Sequence, residues 1–486
     1  MTSRLTLTTI ISTAVLVTAL AAPAGAQIVT RDSTPVSLDE AISRALGNSE
    51  EVRLARSQVE LAAAQVKGAR AAAFPQLNAH LGYTRTFASS FSGGGFTLPD
   101  SLKFEPDPSL PIADRVKYLE DKVPNAALGS LGSLFGNLPF GQENAYSASL
   151  SGSQPLYSGG KLGSANRIAN SFLDAARFTL QEQSAEIELQ VRSAYFRARL
   201  AQELVGISEA AGAQASRFLA SERIRRESGL GSELDVLRAE VSLANLQPQL
   251  IAATSSAEVA TLDLKRLIDL PFKQPMKLTT SLDVPSMGTL ADSLGTVDAL
   301  SSRASLAAEA RLVRIREEQV RIARSAYLPS VNLVFNYGKQ LFPSGIFAFN
   351  EDWRTDFTAG VQVSVPLFNG FRTAAEVAQA QVSLNQERLR LAQLREGVQV
   401  EYERARGERE RSRSSILARQ RTVDQAQRVY DLTVLRYEQG LASQLEVSEA
   451  RLSLLQARTN LAQAVADFQI ASAQLSRAIG GTTPLR

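Results

Sequence analysis

Two stretches decide the fold: residues 224–238 read IRRESGLGSELDVLR, and residues 436–450 read RYEQGLASQLEVSEA. In each stretch a Gly-Leu pair, which begins at Gly229 or Gly440, interrupts a long helical pattern, and an acidic residue follows the glycine by six positions. Glycine is the usual residue where a helix ends in a left-handed turn. The pattern therefore predicts two helix-turn-helix corners.

The two corners belong to an internal repeat. Residues 154–266 align with residues 365–477, and the shorter helical segments that precede them also match. Because the matched segments come in the same order, each half of the chain is predicted to fold as one unit of similar architecture. We expect the first unit to span residues 27–294 and the second to span residues 295–486.

Between the helical segments the hydrophobic period changes from that of a helix to two, as in Leu77, Ala79, Leu81 and Tyr83. Four strands of this kind are predicted, at residues 76–87, 145–156, 330–339 and 356–367. About ten residues suffice for a strand to cross a lipid bilayer. A soluble β-sandwich with one solvent-exposed face is the alternative. It is less favoured because four strands cannot close a barrel in one chain and no other sheet is predicted to pack against them.

Very long helices are predicted after the strands, at residues 162–226 and 373–437. At about 1.5 Å per residue each would extend close to about 100 Å, which is far too long for a compact domain. Each is predicted to turn into a returning helix, at residues 232–269 and 443–479. Residues 270–294, which contain three prolines, are predicted to be an irregular connector between the halves.

The returning helices carry a heptad pattern of apolar residues. We call the residues of this pattern the seam. They are Val447, Leu454, Leu461, Phe468 and Leu475 in the second half, with alanine three places after each, and Val236, Leu243, Leu250, Ala257 and Leu264 in the first. Such a pattern predicts a coiled coil, in which alanine lets the helices approach closely. A plain antiparallel coiled coil would explain the heptads, but it would not explain the strands.

The beginning of the chain predicts export. Residues 1–26 have a basic start at Arg4, then an apolar stretch, then small residues at Ala24 and Ala26, as in a cleaved signal peptide. No later stretch has the roughly 18 uninterrupted apolar residues of a membrane-spanning helix. Any part of the mature chain that crosses a membrane would therefore consist of strands.

The composition argues against several classes of site. The chain has no cysteine and one histidine, His80, so it lacks the residues of a cysteine or histidine metal centre. No nucleophile motif accompanies His80, which we expect to be an ordinary strand residue. The 52 basic and 49 acidic residues are interleaved along helices, which indicates solvated faces rather than a nucleic-acid partner. We expect neither an enzyme nor a bound cofactor.

Two shorter signals complete the pattern. Ser37 and Glu40 have the spacing of a capping box, which predicts the start of the first helix. Residues 88–144 are rich in glycine and proline and are predicted to form a long loop, with a short helix at residues 113–123.

The doubled order of helix, strand, loop, strand, long helix, turn and helix resembles that of the TolC-like outer-membrane efflux proteins. The resemblance covers nearly all of the mature chain. The sequence motifs that carry it most strongly are AFPQLN, QPLYSGGK, VPLFNG, ESGLGSELDV and RYEQGLASQLEVSEAR. It implies a mixed α and β fold, mostly long antiparallel coiled-coil helices that form an α-barrel. Four β-strands per chain would contribute to the twelve-stranded outer-membrane β-barrel of a homotrimer, which leaves no free sheet edge.

The resemblance also implies roles for the two corners. Gly229, Leu230, Gly440 and Leu441 would lie at the periplasmic tips of the helices. In the family these tips form the closed entrance and the docking place for the adaptor (membrane fusion) protein of an inner-membrane transporter. A plain helix-turn-helix corner is the alternative, and it is compatible with the same glycines.

Two acidic residues after the second corner match the family's entrance acids. The spacing of Glu446 and Glu449 places both carboxylates on one helix face. In a trimer they would form a ring of six acids that favours cations over anions, and crowding of like charges would raise some of their pKa values. The solvated face of a charge-rich helix is the alternative.

Two further residues match partners in the network that holds the family's entrance shut. They are Asp235, six residues after the first glycine, and Tyr437, three residues before the second. The sequence departs from the family at Ala442, where that network has an arginine, which puts the latch in doubt. Asp235 would then have Arg238, on its own helix, as an alternative partner.

The implied function is that of an outer-membrane channel that extends into the periplasm, the passive exit duct of a tripartite efflux pump or a type I secretion system. Its implied partners are two further copies of the chain, the adaptor, the inner-membrane transporter and outer-membrane lipid. The alternative is a periplasmic coiled-coil adaptor or scaffold without a pore, which would have heptads but no doubled strands. The sequence leaves the cargo open among drugs, proteins and metals.

Overall fold

We describe the protein from a computed structural model, which covers residues 33–88, 106–123, 143–284, 303–343, 346 and 352–481. The predicted signal peptide at residues 1–26 and most of the predicted loop at residues 88–144 lie outside these ranges. The short helix predicted at residues 113–123 is present and spans residues 112–123.

The principal helices and strands come in the same order in the two halves, and the first half has additional short elements. The first half contains β1 (Thr34–Val36), α1 (Leu38–Asn48), α2 (Glu50–Ala71), β2 (Gln76–Arg85), α3 (112–123), β3 (Asn144–Ser158), α4 (Lys161–Glu227), α5 (Glu233–Leu267) and β4 (Met276–Leu278). The second half contains α6 (Ala304–Ser325), β5 (Ser330–Leu341), β6 (Arg354–Ser364), α7 (Arg372–Glu438) and α8 (Gln444–Ala478). The predicted fold class, long helices with four principal strands, is confirmed.

Prolines explain why the ends of β3 and β6 differ from the predicted ends. The strand predicted at residues 356–367 ends at Ser364, because Pro366 has no N–H to donate to a neighbouring strand. The corresponding Pro155 instead lies within β3, where the pairing with β5 shifts register between Pro155 and Tyr157. This bulge accommodates the proline and lets β3 continue beyond the predicted end at residue 156.

The connector predicted to be irregular at residues 270–294 contains a strand. In it, β4 pairs in parallel with β1 to form a small ribbon. Tyr195 of α4 is fully buried against this ribbon, and its hydroxyl donates to the carbonyl of Val36 at 3.0 Å and accepts from the N–H of Thr280 at 3.0 Å. Three-residue strands are too short to show a hydrophobic period, so the sequence gives no sign of them.

The predicted capping box at the first helix is only half formed. The hydroxyl of Ser37 accepts from the N–H of Glu40 at 3.2 Å, but the carboxylate of Glu40 binds the guanidinium of Arg44 at 2.9 Å. The helical segment is also divided, because Ser49 has an extended ψ of 132° between α1 and α2.

Each long helix packs against the helix that follows it. Both α4 and α7 have 67 residues, and α5 and α8 have 35 residues each. The predicted seam of α8 is buried at Val447, Leu454, Phe468, Leu475 and the alanines at 450, 457, 464, 471 and 478, and Leu461 is half-buried. In the part of the chain that the structure describes, no helix is both long and apolar enough to cross a membrane.

The four principal strands form one antiparallel sheet in the order β2-β3-β5-β6. Its register puts apolar residues on one face, where Leu77, Gly152, Phe335 and Ala359 lie side by side. The other face is polar, and there His80 lies opposite Ser149 as an ordinary strand residue.

Much of the apolar face of the sheet is left uncovered by the described residues. On the outer strands, Leu81 is 87% exposed and Phe357 is 67% exposed. A continuous apolar surface of this kind marks a contact with protein or lipid. Each outer strand also leaves one edge without a partner among the described residues, and such edges need to be paired or protected.

A cluster of ion pairs ties the helices together far from the tips. Arg303, which precedes α6 and is 4% exposed, binds Glu401 of α7 at 2.6 Å and Glu182 of α4 at 3.2 Å. Arg477 of α8 binds the same two carboxylates and also Glu186. Burial acts to lower the pKa of Arg303, but the hydrogen bonds to Glu401 and Glu182 outweigh it and the pKa is raised. The charge of this buried arginine is therefore compensated by acids.

The packing over Gly152 leads to a prediction about the sheet. A Cβ atom at Gly152 would lie 2.1 Å from the ring of Phe335, whereas a Cβ at Gly360 on β6 would meet no atom within 4 Å. We expect Gly152→Ala to destabilise the sheet by about 1–3 kcal/mol, because the ring has to leave its place. The matched variant Gly360→Ala is expected to change stability much less.

The measurement is the temperature at which the purified protein loses its folded band on semi-native gels. A lower midpoint for Gly152→Ala alone is expected. Equal midpoints for the two variants would mean that the ring does not pack over Gly152.

Candidate functional site

The two helix corners are built in the same way. Gly229 has a φ of +74° and Gly440 a φ of +76°, the left-handed region that favours glycine. The N–H of the following leucine donates to the carbonyl five residues earlier, at 2.9 Å for Leu230 and 2.8 Å for Leu441. These bonds are those of a Schellman motif, which ends a helix and reverses the chain. The glycines are thus required by the geometry of the corners.

The corners expose leucines at the end of the molecule. Leu230 is 75% exposed and Leu441 is 63% exposed. Leu234 and Leu445, in the first turn of each returning helix, are also exposed. An apolar surface that the chain itself leaves uncovered at both tips is suited to a protein contact.

The acids that follow each glycine by six positions cap the returning helices. The N–H of Asp235 donates to the hydroxyl of Ser232 at 3.1 Å, and the Asp235 carboxylate accepts from the N–H of Ser232 at 3.4 Å. Glu446 and Ser443 form the same reciprocal pair at 3.3 Å and 3.1 Å. These are two complete capping boxes, and they explain why the spacing of glycine and acid repeats. The tetrapeptides SELD (232–235) and SQLE (443–446) have the spacing of a capping box, which the sequence analysis did not identify.

The capping contacts change the expected electrostatics of both acids. The carboxylate of Asp235 also accepts from the hydroxyl of Ser232 at 2.6 Å, so Ser232, and not Arg238, is its partner. The N–H and hydroxyl of Ser443, with the charge of Arg436 nearby, hold the pKa of Glu446 below its usual value. Within one chain the pKa shift is therefore opposite to the rise expected from crowding. Both Glu446 and Glu449 are exposed to solvent.

Tyr437 joins the two hairpins through an acid that the sequence did not indicate. Its hydroxyl donates to the carboxylate of Glu222 on α4 at 2.8 Å, and Glu222 is 1% exposed. The ring lies 5.4 Å from that of Phe218, and the guanidinium of Arg225 lies 5.1 Å above it. Burial, followed by the hydrogen bond with Glu222, raises the pKa of Tyr437, so the phenol remains a donor.

The hydroxyl of Tyr437 thus binds Glu222, and the network with Asp235 that the resemblance implies stays a prediction. Asp235 contributes in another way, because its backbone carbonyl accepts from the side chain of Gln444 on α8 at 2.7 Å. A third contact joins Arg451 of α8 to the hydroxyl of Ser242 on α5. These contacts join the two hairpins side by side.

Comparison with known proteins agrees with this architecture. The sequence model described as outer membrane efflux protein matches residues 121–269 and residues 296–481, one match in each half of the chain. The chain belongs to the outer membrane efflux protein family.

Curated relatives of this efflux protein include channels for secretion and efflux. The alkaline protease secretion protein AprF of Pseudomonas aeruginosa is 26% identical over 335 residues, which are 68% of this chain and 69% of AprF. The outer membrane protein TolC of Vibrio cholerae is 24% identical over 294 residues, which are 60% of this chain and 67% of TolC. The aligned parts thus span about two thirds of either relative.

Solved outer-membrane channels share the fold. The open state of the MtrE outer membrane channel of Neisseria gonorrhoeae has a TM-score of 0.71 at 18% identity, covering 91% of this chain and 89% of MtrE. The CmeC outer membrane channel of Campylobacter jejuni has a TM-score of 0.70 at 16% identity, covering 91% of this chain and 85% of CmeC. The family and these relatives support an outer-membrane channel over a periplasmic adaptor or scaffold. The predicted location in the outer membrane, with helices in the periplasm, is confirmed.

The contact between Tyr437 and Glu222 predicts how firmly the tips of this efflux protein are held. Tyr437→Phe removes the only hydrogen bond described for the buried Glu222 carboxylate, and Glu222→Gln keeps an acceptor for the phenol. We expect amides near both corners to exchange with deuterium about tenfold faster in Tyr437→Phe, because a hydrogen bond to a charged group contributes about 1.5–3 kcal/mol.

Hydrogen exchange followed by mass spectrometry of tip peptides is the measurement. Glu222→Gln is expected to show a smaller increase than Tyr437→Phe. Exchange at the tips that stays at the wild-type rate in Tyr437→Phe would show that the contact does not hold the hairpins.

Proposed function

We propose that the protein is a passive exit duct, closed at its periplasmic tips, that serves a tripartite efflux pump or a type I secretion system. The observation that carries the proposal is the placement of two different ends on one chain. One end is a sheet with an uncovered apolar face, and the other, at the far end of helices about 100 Å long, is a pair of capped corners with exposed leucines. A duct through the periplasm needs both ends.

The proposed assembly is a homotrimer. The free edges of the sheet are on β2 and β6, and an edge of one copy can pair with the opposite edge of the next. Three copies of four strands give an even-numbered closed barrel, with the apolar face towards lipid and the polar face towards the lumen. Outer-membrane lipid is then the partner of exposed residues such as Leu81 and Phe357.

The proposed entrance lies at the tips, and Glu446 and Glu449 are its acids. Repeated around a threefold axis, they form a ring that attracts cations. The hydrogen bonds from Ser443 favour the ionised form of Glu446, which supports a charged ring at neutral pH. Glu446 then has two roles, because it caps α8 and also contributes negative charge at the opening.

Opening of the entrance would separate the two hairpins. The contacts that oppose this motion are those of Tyr437 with Glu222 and of Gln444 with the carbonyl of Asp235. We propose that an adaptor docks on the exposed Leu230 and Leu441 and that its binding energy drives an iris-like untwisting of the tips. The duct itself makes and breaks no covalent bond, and the inner-membrane transporter supplies the energy.

The cargo would be selected by that transporter. The relatives are named for different cargoes: AprF and PrtF for protease secretion, SrpC for solvent efflux and OpmQ for pyoverdine export. A common duct for such different molecules is consistent with a passive channel whose partner chooses the substrate.

Single-channel recording in a planar lipid bilayer tests the proposal. The purified trimer in an asymmetric salt gradient is expected to give small, cation-selective steps, because the tips are closed at rest. Tyr437→Phe is expected to give larger or more frequent steps, because the hairpins are held less firmly. Absence of conductance from both proteins, each confirmed as folded and inserted, would contradict the proposal.

The acidic ring has its own test. Glu446→Gln combined with Glu449→Gln should lower the preference for cations over anions, and glutamine still permits the capping box at Ser443. The matched control is Glu227→Gln combined with Glu233→Gln, which removes as many charges at the other corner. Reversal potentials in the same salt gradient are the measurement. If the Glu446 and Glu449 variant reverses at the wild-type voltage, these residues do not line the opening.

A further inference from the structure

A cavity lies between the two hairpins close to the tips. Its volume is about 270 Å³, and it lies between α5 and α8, with Phe218 of α4 at its wall. The lining includes apolar atoms of Phe218, Leu445 and Val447 and polar groups of Ser448 and Arg451. Drug-sized ligands usually occupy pockets of about 300–1,000 Å³, so this cavity suits a smaller molecule.

Arg451 is the unusual residue of this cavity. It is 4% exposed, and the hydrogen bonds described for its guanidinium are to the hydroxyls of Ser242 and Ser448. Its Nε has no hydrogen-bond partner, and the same is true of the Nε of Arg303 and of the side-chain oxygen of Gln444 beside Arg451. Among the described residues no carboxylate forms an ion pair with Arg451.

Arg303, which is equally buried, differs from Arg451 in its ionic partners. Arg303 is also 4% exposed, but it has carboxylates at 2.6 Å and 3.2 Å. Burial lowers the pKa of Arg451, while the acids around Arg303 raise its pKa. An arginine remains charged in either case, and a buried charge without a counterion is costly. An anion would therefore stabilise the buried charge of Arg451, and the described residues do not provide one.

We propose that this cavity binds a small organic acid, with its carboxylate on Arg451 and its apolar part against Phe218 and Leu445. The guanidinium fork matches the two oxygens of a carboxylate, and the neighbouring hydroxyls of Ser242 and Ser448 provide further donors. Arg238, which also lines the cavity, adds positive charge from α5. The bound acid contacts both α5 and α8, so it ties the two hairpins together at the tips.

The test is isothermal titration of the purified full-length protein in detergent with sodium benzoate, against benzyl alcohol as the neutral probe and sodium chloride as the salt control. Saturable binding of benzoate, and none of benzyl alcohol, is expected in the wild-type protein. This comparison needs no variant, so it does not depend on how a substitution affects folding.

Variants then locate the site. Arg451→Gln should weaken benzoate binding by at least about tenfold, which corresponds to the loss of one charge-assisted hydrogen bond. Arg458→Gln is the matched control, because Arg458 lies seven residues further along α8 and donates to Gln427 at 2.7 Å. It is expected to bind benzoate as the wild type does. Arg451→Lys keeps the charge but not the fork, and it is expected to bind more weakly than the wild type.

Two results would overturn the proposal. One is the absence of saturable benzoate binding to the wild-type protein, which would mean that the cavity is filled or that a neighbouring copy supplies the counterion. The other is equal affinity in wild type and folded Arg451→Gln, which would place the binding elsewhere. Neither result bears on channel formation, which the conductance measurement tests separately.

Discussion

The packing of each long helix against the helix that returns beside it is the interaction on which the rest of the structure depends. A helix about 100 Å long cannot bury its apolar stripe against a compact core, so other helices have to cover it. The returning helix of 35 residues covers the part nearest the corner, and the shorter helices α2 and α6 pack on the rest of α4, as α6 does on α7. Leucine, phenylalanine and alanine of the heptad seam do this in α8, where Leu454 and Phe468 are almost fully buried. The small alanines bring the backbones close, and the pairing carries the two corners far from the sheet. The distance between the sheet and the corners thus follows from the 67 residues of each long helix, and the seam supports the half nearest the corner.

The tips combine strong local structure with few long-range contacts. Schellman turns at Gly229 and Gly440 and the capping boxes of Asp235 and Glu446 fix each corner by bonds within a few residues. The two hairpins, by contrast, are joined by side-chain contacts such as that of Tyr437 with Glu222. Local bonds of this kind would survive the separation of the hairpins that we propose, whereas the contacts between hairpins would not. A corner built in this way is suited to moving as one piece in the proposed gate.

The sheet at the other end has two edges without a partner among the described residues, and its chemistry supports the proposed trimer. Apolar residues occupy one face and polar residues the other across all four strands, although the strands come from two halves of the sequence. This common alternation holds because the register between strands is fixed, since a slip of one residue would exchange the two faces. Lipid can cover the apolar face, but only another strand can satisfy the backbone groups at the edges of β2 and β6. In the proposed trimer, membrane insertion and association of copies are therefore linked.

The sequence by itself determined the elements and their order. The change of period between 3.6 and 2, the glycines of the corners and the repeat predicted the long helices and the four strands within a few residues, and the resemblance to TolC-like proteins supplied their assembly. The tetrapeptides SELD and SQLE also contained the spacing of the capping boxes, although the sequence analysis did not identify it. Only the tertiary structure decided that Tyr437 meets Glu222, that β1 pairs with β4, and that Arg451 is buried without an acid. These features join residues far apart in the chain, such as Glu222 and Tyr437, which are 215 positions apart. Periodicity reports which face of a helix is buried, but the rotation and height at which two helices meet depend on packing along their whole length, and no local pattern encodes that.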